Sequence, residues 1–259
     1  MHFSLSVKGM PFFVFLKKFP TFLREYAEIK RQAEKAGGDF PFARLYPCLE
    51  ERDEESGVVA EHYFLQDLLV AQKIFQMNHH SLNRPSRHVD IGSRIDGFVG
   101  HVASFREVEV FDVRDQKLDI ANIRFTRADL TAEDFSFVDY CDSLSCLHAM
   151  EHFGLGRYGD RLNYRGHLVG WDNMFRMLKE GGKLYFSVPI GKQRIEFNAH
   201  RVFSVAYLLR LMEGRYDIDS FSYINNENRL ITNAVLDERS VGNNFGCHYG
   251  CGIFELTKR

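Results

Sequence analysis

One stretch constrains this chain more than any other: Arg87-His88-Val89-Asp90-Ile91-Gly92-Ser93-Arg94-Ile95-Asp96-Gly97-Phe98-Val99-Gly100. A short apolar strand runs into a glycine-bearing turn and then into a helical pattern, an arrangement that brings backbone N–H groups close to a nucleotide-like ligand. The downstream pattern suits such a turn. Strand patterns cover 107–113, 123–129, 143–148 and 183–189, and the helix between the last two ends on Gly181-Gly182. Another helix fits 204–212, after which 216–225 and 252–258 read as strands with no helix between them. Alternating strands and helices predict an α/β fold, a mostly parallel sheet covered on both faces. The last two strands are expected to form an antiparallel pair closing one edge.

Upstream of the turn the pattern is helical. Phe22, Tyr26, Ile29 and Ala33 recur at helical spacing over 21–37, with Thr21 as cap and Gly37-Gly38 as stop. Residues 39–57, with Pro41, Pro47 and an acidic run at 50–55, read as irregular. A second helix is expected over 60–78, with Phe64, Leu65, Leu68, Leu69 and Phe75 on one side. The expected division is an N-terminal helical extension or lid over 1–80 and a larger domain over 81–259. With 259 residues, 45% of them hydrophobic, the chain can bury one sizeable core. A net charge of −2 supplies no basic field for nucleic acid. Lys8, Pro11, Lys17 and Lys18 interrupt the apolar first twenty residues, which suit weak membrane-surface contact at most and burial more simply. Five cysteines without a regular framework suit a reducing, cytoplasmic compartment.

Two kinds of cofactor use a strand, a glycine turn and a helix at this point in a sheet. A dinucleotide wants G-x-G-x-x-G, because the second glycine lets the backbone reach the pyrophosphate. Here Arg94 stands at that second position. S-adenosylmethionine has no phosphate, and Asp90, which would repel a pyrophosphate, can orient its methionyl ammonium. Asp112 ends the next strand, where a carboxylate accepts both ribose hydroxyls of either cofactor, and Asp129-Leu130 follows the third, within reach of an adenine amino group. A single aspartate at a strand end is more simply a cap. Three in order make the stronger case.

These positions, with Cys141-Asp142-Ser143-Leu144-Ser145-Cys146-Leu147-His148-Ala149-Met150-Glu151-His152 and Leu178-Lys179-Glu180-Gly181-Gly182-Lys183-Leu184, resemble the class I S-adenosylmethionine-dependent methyltransferases over about residues 86–258. Glu180 replaces the proline usual in that family's "LKPGG". More narrowly, Val89 to Arg94, Gly154-Leu155-Gly156-Arg157-Tyr158-Gly159-Asp160 and Glu196-Phe197-Asn198-Ala199-His200-Arg201 look like the DUF268 family, which is methyltransferase-like and associated with bacterial surface-polysaccharide loci. The resemblance implies a Rossmann-like fold with S-adenosylmethionine held by Asp90, Gly92, Ser93, Asp112, Asp129, Leu130 and Cys146.

His148-Ala149-Met150-Glu151-His152 also fits H-x-x-E-H, in which two histidines one helical turn apart bind zinc. Gly154, Gly156 and Gly159 come too soon after it for a sustained helix, and Cys247 and Cys251 lack a matching second pair, so no metal is expected. In a methyltransferase the end of the fourth strand borders cofactor and acceptor. There His148, Glu151 or His152, with His200 nearby, would take a proton from an acceptor hydroxyl. The alternative is structural: histidines packed at a strand end and a glutamate bonded to loop amides. Arg157, Tyr158, Asp160, Asn198 and Arg201 lie on loops at the same sheet edge and suit a polar acceptor, Arg157 or Arg201 holding a phosphate or carboxylate. The expected activity is O-methylation of a sugar, nucleotide sugar or surface glycan. A non-catalytic binding module in polysaccharide assembly and an NAD-dependent sugar-modifying enzyme are the alternatives, the latter lacking a Tyr-x-x-x-Lys pair.

Overall fold

The computed structural model describes residues 12–37, 40–49, 61–80 and 88–259. The acidic run 50–55 and the first eleven residues lie outside them. Contacts divide the chain into two compact units, Met1–Val58 and Val59–Arg259. In the first, helix α1 (Phe12–Ala36) starts nine residues before Thr21 and runs through Pro20, so Thr21 is interior and its hydroxyl accepts from the Arg24 guanidinium at 3.2 Å. Phe15, Phe19 and Phe22 stack along it with centroids 4.6 and 5.9 Å apart, and Gly37 ends it at φ +90°.

The second unit begins before helix α2 (Glu61–His80) and therefore includes it. Its main sheet has the order β3-β2-β1-β4-β5-β10-β8-β9. The strands are β1 (His88–Ile91), β2 (Val108–Asp112), β3 (Ile123–Arg127), β4 (Cys141–Leu147), β5 (Leu178–Ile190), β8 (Tyr216–Ile224), β9 (Leu230–Ile231) and β10 (Gly250–Lys258). β6 (Arg194–Glu196) and β7 (His200–Val202) form a separate hairpin. From β3 to β5 every pairing is parallel, and β10 lies antiparallel between β5 and β8. The expected parallel sheet with an antiparallel edge is what forms. Strand order reverses between β1 and β4, which opens a crevice at their carboxyl ends.

The central strands are buried on both faces, as crossover connections require. One face packs against α4 (Gly166–Met177) and α5 (Val205–Met212) through Trp171, Met174, Leu208 and Met212. The other packs against α2, the short α3 (Gly100–Ala103) and the turn before it through Val70, Ile74, Val102 and Phe98. Two expectations need correction. The helix before β5 ends at Met177, and Gly181-Gly182 lies inside β5, where Gly181 at φ +70° makes an irregularity in the ladder with β4. A short helix α6 (Glu238–Gly242) does separate β8 from β10. On α2, Phe64 and Leu68 are exposed while Gln66 is buried. Apolar residues cover more than one side of that helix, and polar contacts choose the inner face: Lys73 with Glu255 at 2.8 Å, and Ser187 donating to Gln66 at 2.5 Å.

Candidate active site

The crevice is a cavity of about 580 Å³ at the carboxyl ends of β1, β2 and β4, closed on one side by α2. Its floor is the glycine turn. Gly92 sits at φ +75°, and a Cβ there would lie 3.0 Å from that of Ala149, so the position requires glycine twice over. Beneath the turn runs a buried polar row fixed by the β1–β4 register. His88 Nδ1 and Nε2 meet Ser143 and Ser145 at 2.8 and 3.1 Å, and Ser145 donates to Asp90 at 2.6 Å. Asp90 also accepts from the Ser93 amide at 3.1 Å and the Ser93 hydroxyl at 3.0 Å. It is 0% exposed, and burial pushes its carboxyl up to about 7 against those bonds. Asp90 therefore braces the turn from below and does not line the cavity. Cys146, buried at the core of β4, does not line it either.

Gly92, Ser93, Asp112, Asp129 and Leu130 do line it. Asp112 closes β2, and Arg114 reaches back to it with two bonds of 2.9 and 2.5 Å. Asp129 Oδ1 accepts from the Thr131 amide and hydroxyl, both at 2.7 Å, which shapes the turn after β3. Phe111, Val113, Leu130 and Phe153 supply apolar walls at this end. A cradle of backbone, two strand-end carboxylates and apolar walls fits an adenosine-type group. Arg94 also lines the cavity, its side chain 81% exposed and paired with Asp96 at 2.7 Å.

At the other end stands His148, immediately after β4, at φ +50°. Its Nδ1 bonds Glu151 Oε1 at 2.8 Å, the two side chains being 3% and 2% exposed; its Nε2 makes no hydrogen bond to nitrogen or oxygen among the described residues, and the Cys251 side chain lies beside the ring. Burial opposes charge on His148, but Cys251 and Glu151 outweigh it and hold the imidazole well above the ordinary histidine range. Burial works against Glu151 too, yet His148 keeps its carboxyl low. Tyr63 on α2 packs on the His148 ring at 5.2 Å. Met150–His152 is a single turn of 3-10 helix, and no group of metal-ligating side chains occurs among the described residues.

The other expected residues divide by place. His152 lines the cavity; burial lowers its pKa, and its Nδ1 donates to the Ala199 carbonyl at 2.7 Å, tying the β6–β7 hairpin to the site. His200 and Asn198 lie on that hairpin and do not line the cavity; His200 Nε2 is 3.2 Å from Glu196. Arg157, Tyr158 and Asp160 do line it. The Tyr158 ring lies between the guanidinium groups of Arg114 and Arg157, at 4.7 and 5.1 Å. Asp160 accepts from the amides of Gly154, Gly156 and Tyr158 at 2.7, 3.3 and 3.3 Å, holding its own loop. Arg201 is 4% exposed and donates to the carbonyls of Glu151, Phe153 and Tyr164, so its guanidinium is spent on backbone and holds no acceptor. Tyr63, Gln66, Asp67 and Arg114 also belong to the site. Nothing in the sequence pattern marked the first three, because their helix precedes the recognisable turn.

A family profile described as "Caenorhabditis protein of unknown function, DUF268" matches residues 102–246. The chain belongs to the DUF268 family. Among solved structures it is similar to phosphoethanolamine N-methyltransferase 2 of Haemonchus contortus in complex with phosphomonomethylethanolamine and S-adenosylhomocysteine. That similarity has 11% identity over 79% of this chain and 55% of that one, with a TM-score of 0.50. A TehB-like S-adenosylmethionine-dependent methyltransferase of Corynebacterium glutamicum matches at 16% identity over 93% and 100%, TM-score 0.48. The N-methyltransferase NodS of Bradyrhizobium japonicum matches at 11% over 83% and 93%, TM-score 0.47. No curated protein matches the sequence. This DUF268 chain has a Rossmann-like methyltransferase fold. Among its described residues no helix is long and apolar enough to cross a membrane.

Proposed function

We propose that this DUF268 protein is an S-adenosylmethionine-dependent methyltransferase that methylates a hydroxyl of a small polar acceptor, a sugar, nucleotide sugar or glycan. One observation carries the reading: a single cavity joins the Gly92 turn, Asp112 and Asp129 to a buried imidazole whose Nε2 bonds no nitrogen or oxygen among the described residues. Asp112 would hold the ribose hydroxyls, exchanging part of its bond with Arg114 for them, and the Asp129–Leu130 turn would border the adenine. S-adenosylmethionine would supply an electrophilic methyl group.

His148 then takes the proton from the acceptor hydroxyl at Nε2, while Glu151 fixes the ring through Nδ1 and stabilises the imidazolium that forms. A raised pKa makes His148 a stronger base that is free only at higher pH. Positioning supplies much of the remaining rate. Arg157 is the anchor for an anionic group on the acceptor. Of the three arginines lining the cavity, Arg94 and Arg114 are neutralised by Asp96 and Asp112, whereas Arg157 meets the Ala199 carbonyl, His152 and the Tyr158 ring and pairs with no carboxylate among the described residues. Free cysteines at Cys141, Cys146, Cys247 and Cys251, all buried, support a cytoplasmic setting.

The test is transfer of labelled methyl from S-adenosylmethionine to matched neutral sugars, sugar phosphates and nucleotide sugars. Turnover that His148→Gln abolishes and Arg157→Gln weakens through KM is expected. Labelled S-adenosylmethionine that binds but transfers to no acceptor would favour a binding module instead.

A further inference from the structure

The carboxylate that the sequence offers for a methionyl ammonium, Asp90, is sealed under the turn with both oxygens engaged. Another acid lining the cavity can meet that charge instead. Five acidic residues line the cavity. Asp96 is paired with Arg94 and Asp112 with Arg114, while Asp129 and Asp160 shape their own turns. Asp67, on α2, pairs with no arginine or lysine among the described residues and caps no turn of its own.

Asp67 is also held for the purpose. Its Oδ1 accepts from Gln66 Nε2 at 2.9 Å, and the Phe98 amide, just past the glycine turn, bonds the same carboxylate. Gln66 is itself immobilised by Ser187 at 2.5 Å and the Cys251 thiol at 3.6 Å. The Asp67 carboxylate lies over Gly97, where a Cβ would come within 3.0 Å of Oδ2. Glycine at that position leaves room for the acid to sit against the turn. Two donors leave a carboxylate with unused lone pairs, and an ammonium carries three donors.

We infer that Asp67 receives the α-ammonium of the cofactor's methionyl group, taking the role that Asp90 has in the sequence. The inference rests on the S-adenosylmethionine reading of the cavity. Burial pushes the Asp67 carboxyl up from its usual range, so an arriving cation relieves an existing cost.

The experiment compares binding of S-adenosylhomocysteine and of 5′-methylthioadenosine, which lacks the amino acid, to the full chain by calorimetry. The wild-type protein should prefer S-adenosylhomocysteine. Asp67→Asn should weaken it by about tenfold or more, the loss typical of a charge-assisted bond, and leave methylthioadenosine binding unchanged, which also reports an intact fold. Asp67→Asn with full discrimination, or an equal loss of both ligands, overturns the inference. If the wild-type protein binds neither, the cofactor reading itself fails, a different result from a variant that binds both without preference.

Discussion

Arg201 separates a structural from a substrate-binding account of the loop after β4. Its guanidinium bridges three carbonyls on two segments, at 2.6 Å to Phe153, 3.1 Å to Tyr164 and 3.3 Å to Glu151. Counting only the two shorter bonds, at about 1.5 kcal/mol each for a charged donor, Arg201→Met should cost about 3 kcal/mol. For a domain of this size that is a fall in Tm of about 6–12 °C. Arg201→Lys should recover little, because one ammonium cannot fork to carbonyls on separate segments. Thermal and urea denaturation of the variants measure this directly. Two of the carbonyls, those of Glu151 and Phe153, belong to the turn that follows His148, so catalysis should fall through kcat. Unchanged stability with a raised KM for an anionic acceptor would refute the reasoning and return Arg201 to the substrate.

The same geometry has other consequences. Glu151→Gln removes a carboxylate that raises the His148 pKa, so the imidazole NMR titration and the rising limb of the pH–rate profile should both move to lower pH; no movement means that the pair is not coupled. Gly92→Ala forces a side chain into the left-handed region and against Ala149, and should cost about 1–2 kcal/mol in stability together with affinity for S-adenosylhomocysteine, read by calorimetry. Asp90 has a folded pKa of about 7 against 3.8 unfolded, so between these values the folded state holds the extra proton and stability falls as pH rises. Asp90→Asn should flatten that part of a denaturation series taken from pH 4 to 7. An equally steep fall in the variant would assign the dependence to other groups.

The fold was legible because its markers are local. Gly92, the strand-end aspartates and the alternation from 107 to 189 each follow from backbone geometry at one place, and together they predicted the parallel sheet and its antiparallel edge. That Asp112, Asp129, His148, Arg157 and Tyr158 would lie along one cavity was legible for the same reason, since the carboxyl end of a strand or the loop after it can be read from order alone. What the pattern missed depends on contacts between distant segments. Asp90 looks like a ligand until Ser145, brought alongside by the β1–β4 register, is seen to hold it. Arg201 looks like a substrate cation until three carbonyls surround it. Gln66 and Asp67 sit on a helix whose inner face the apolar pattern left open, because Phe64 and Leu68 stay exposed while Gln66 meets Ser187 across the sheet. The double glycine at 181–182 reads as a helix stop, but it serves the ladder of β5 instead.

The most direct test of the central claim is calorimetric titration of the purified full chain with S-adenosylhomocysteine, with NAD titrated in parallel. The cavity built on Gly92, Asp112 and Asp129 predicts one site per chain for S-adenosylhomocysteine, weakened by Asp112→Asn, and none for NAD. No binding at about 1 mM, equivalent to about 4 kcal/mol of affinity, or binding of NAD alone, would contradict it.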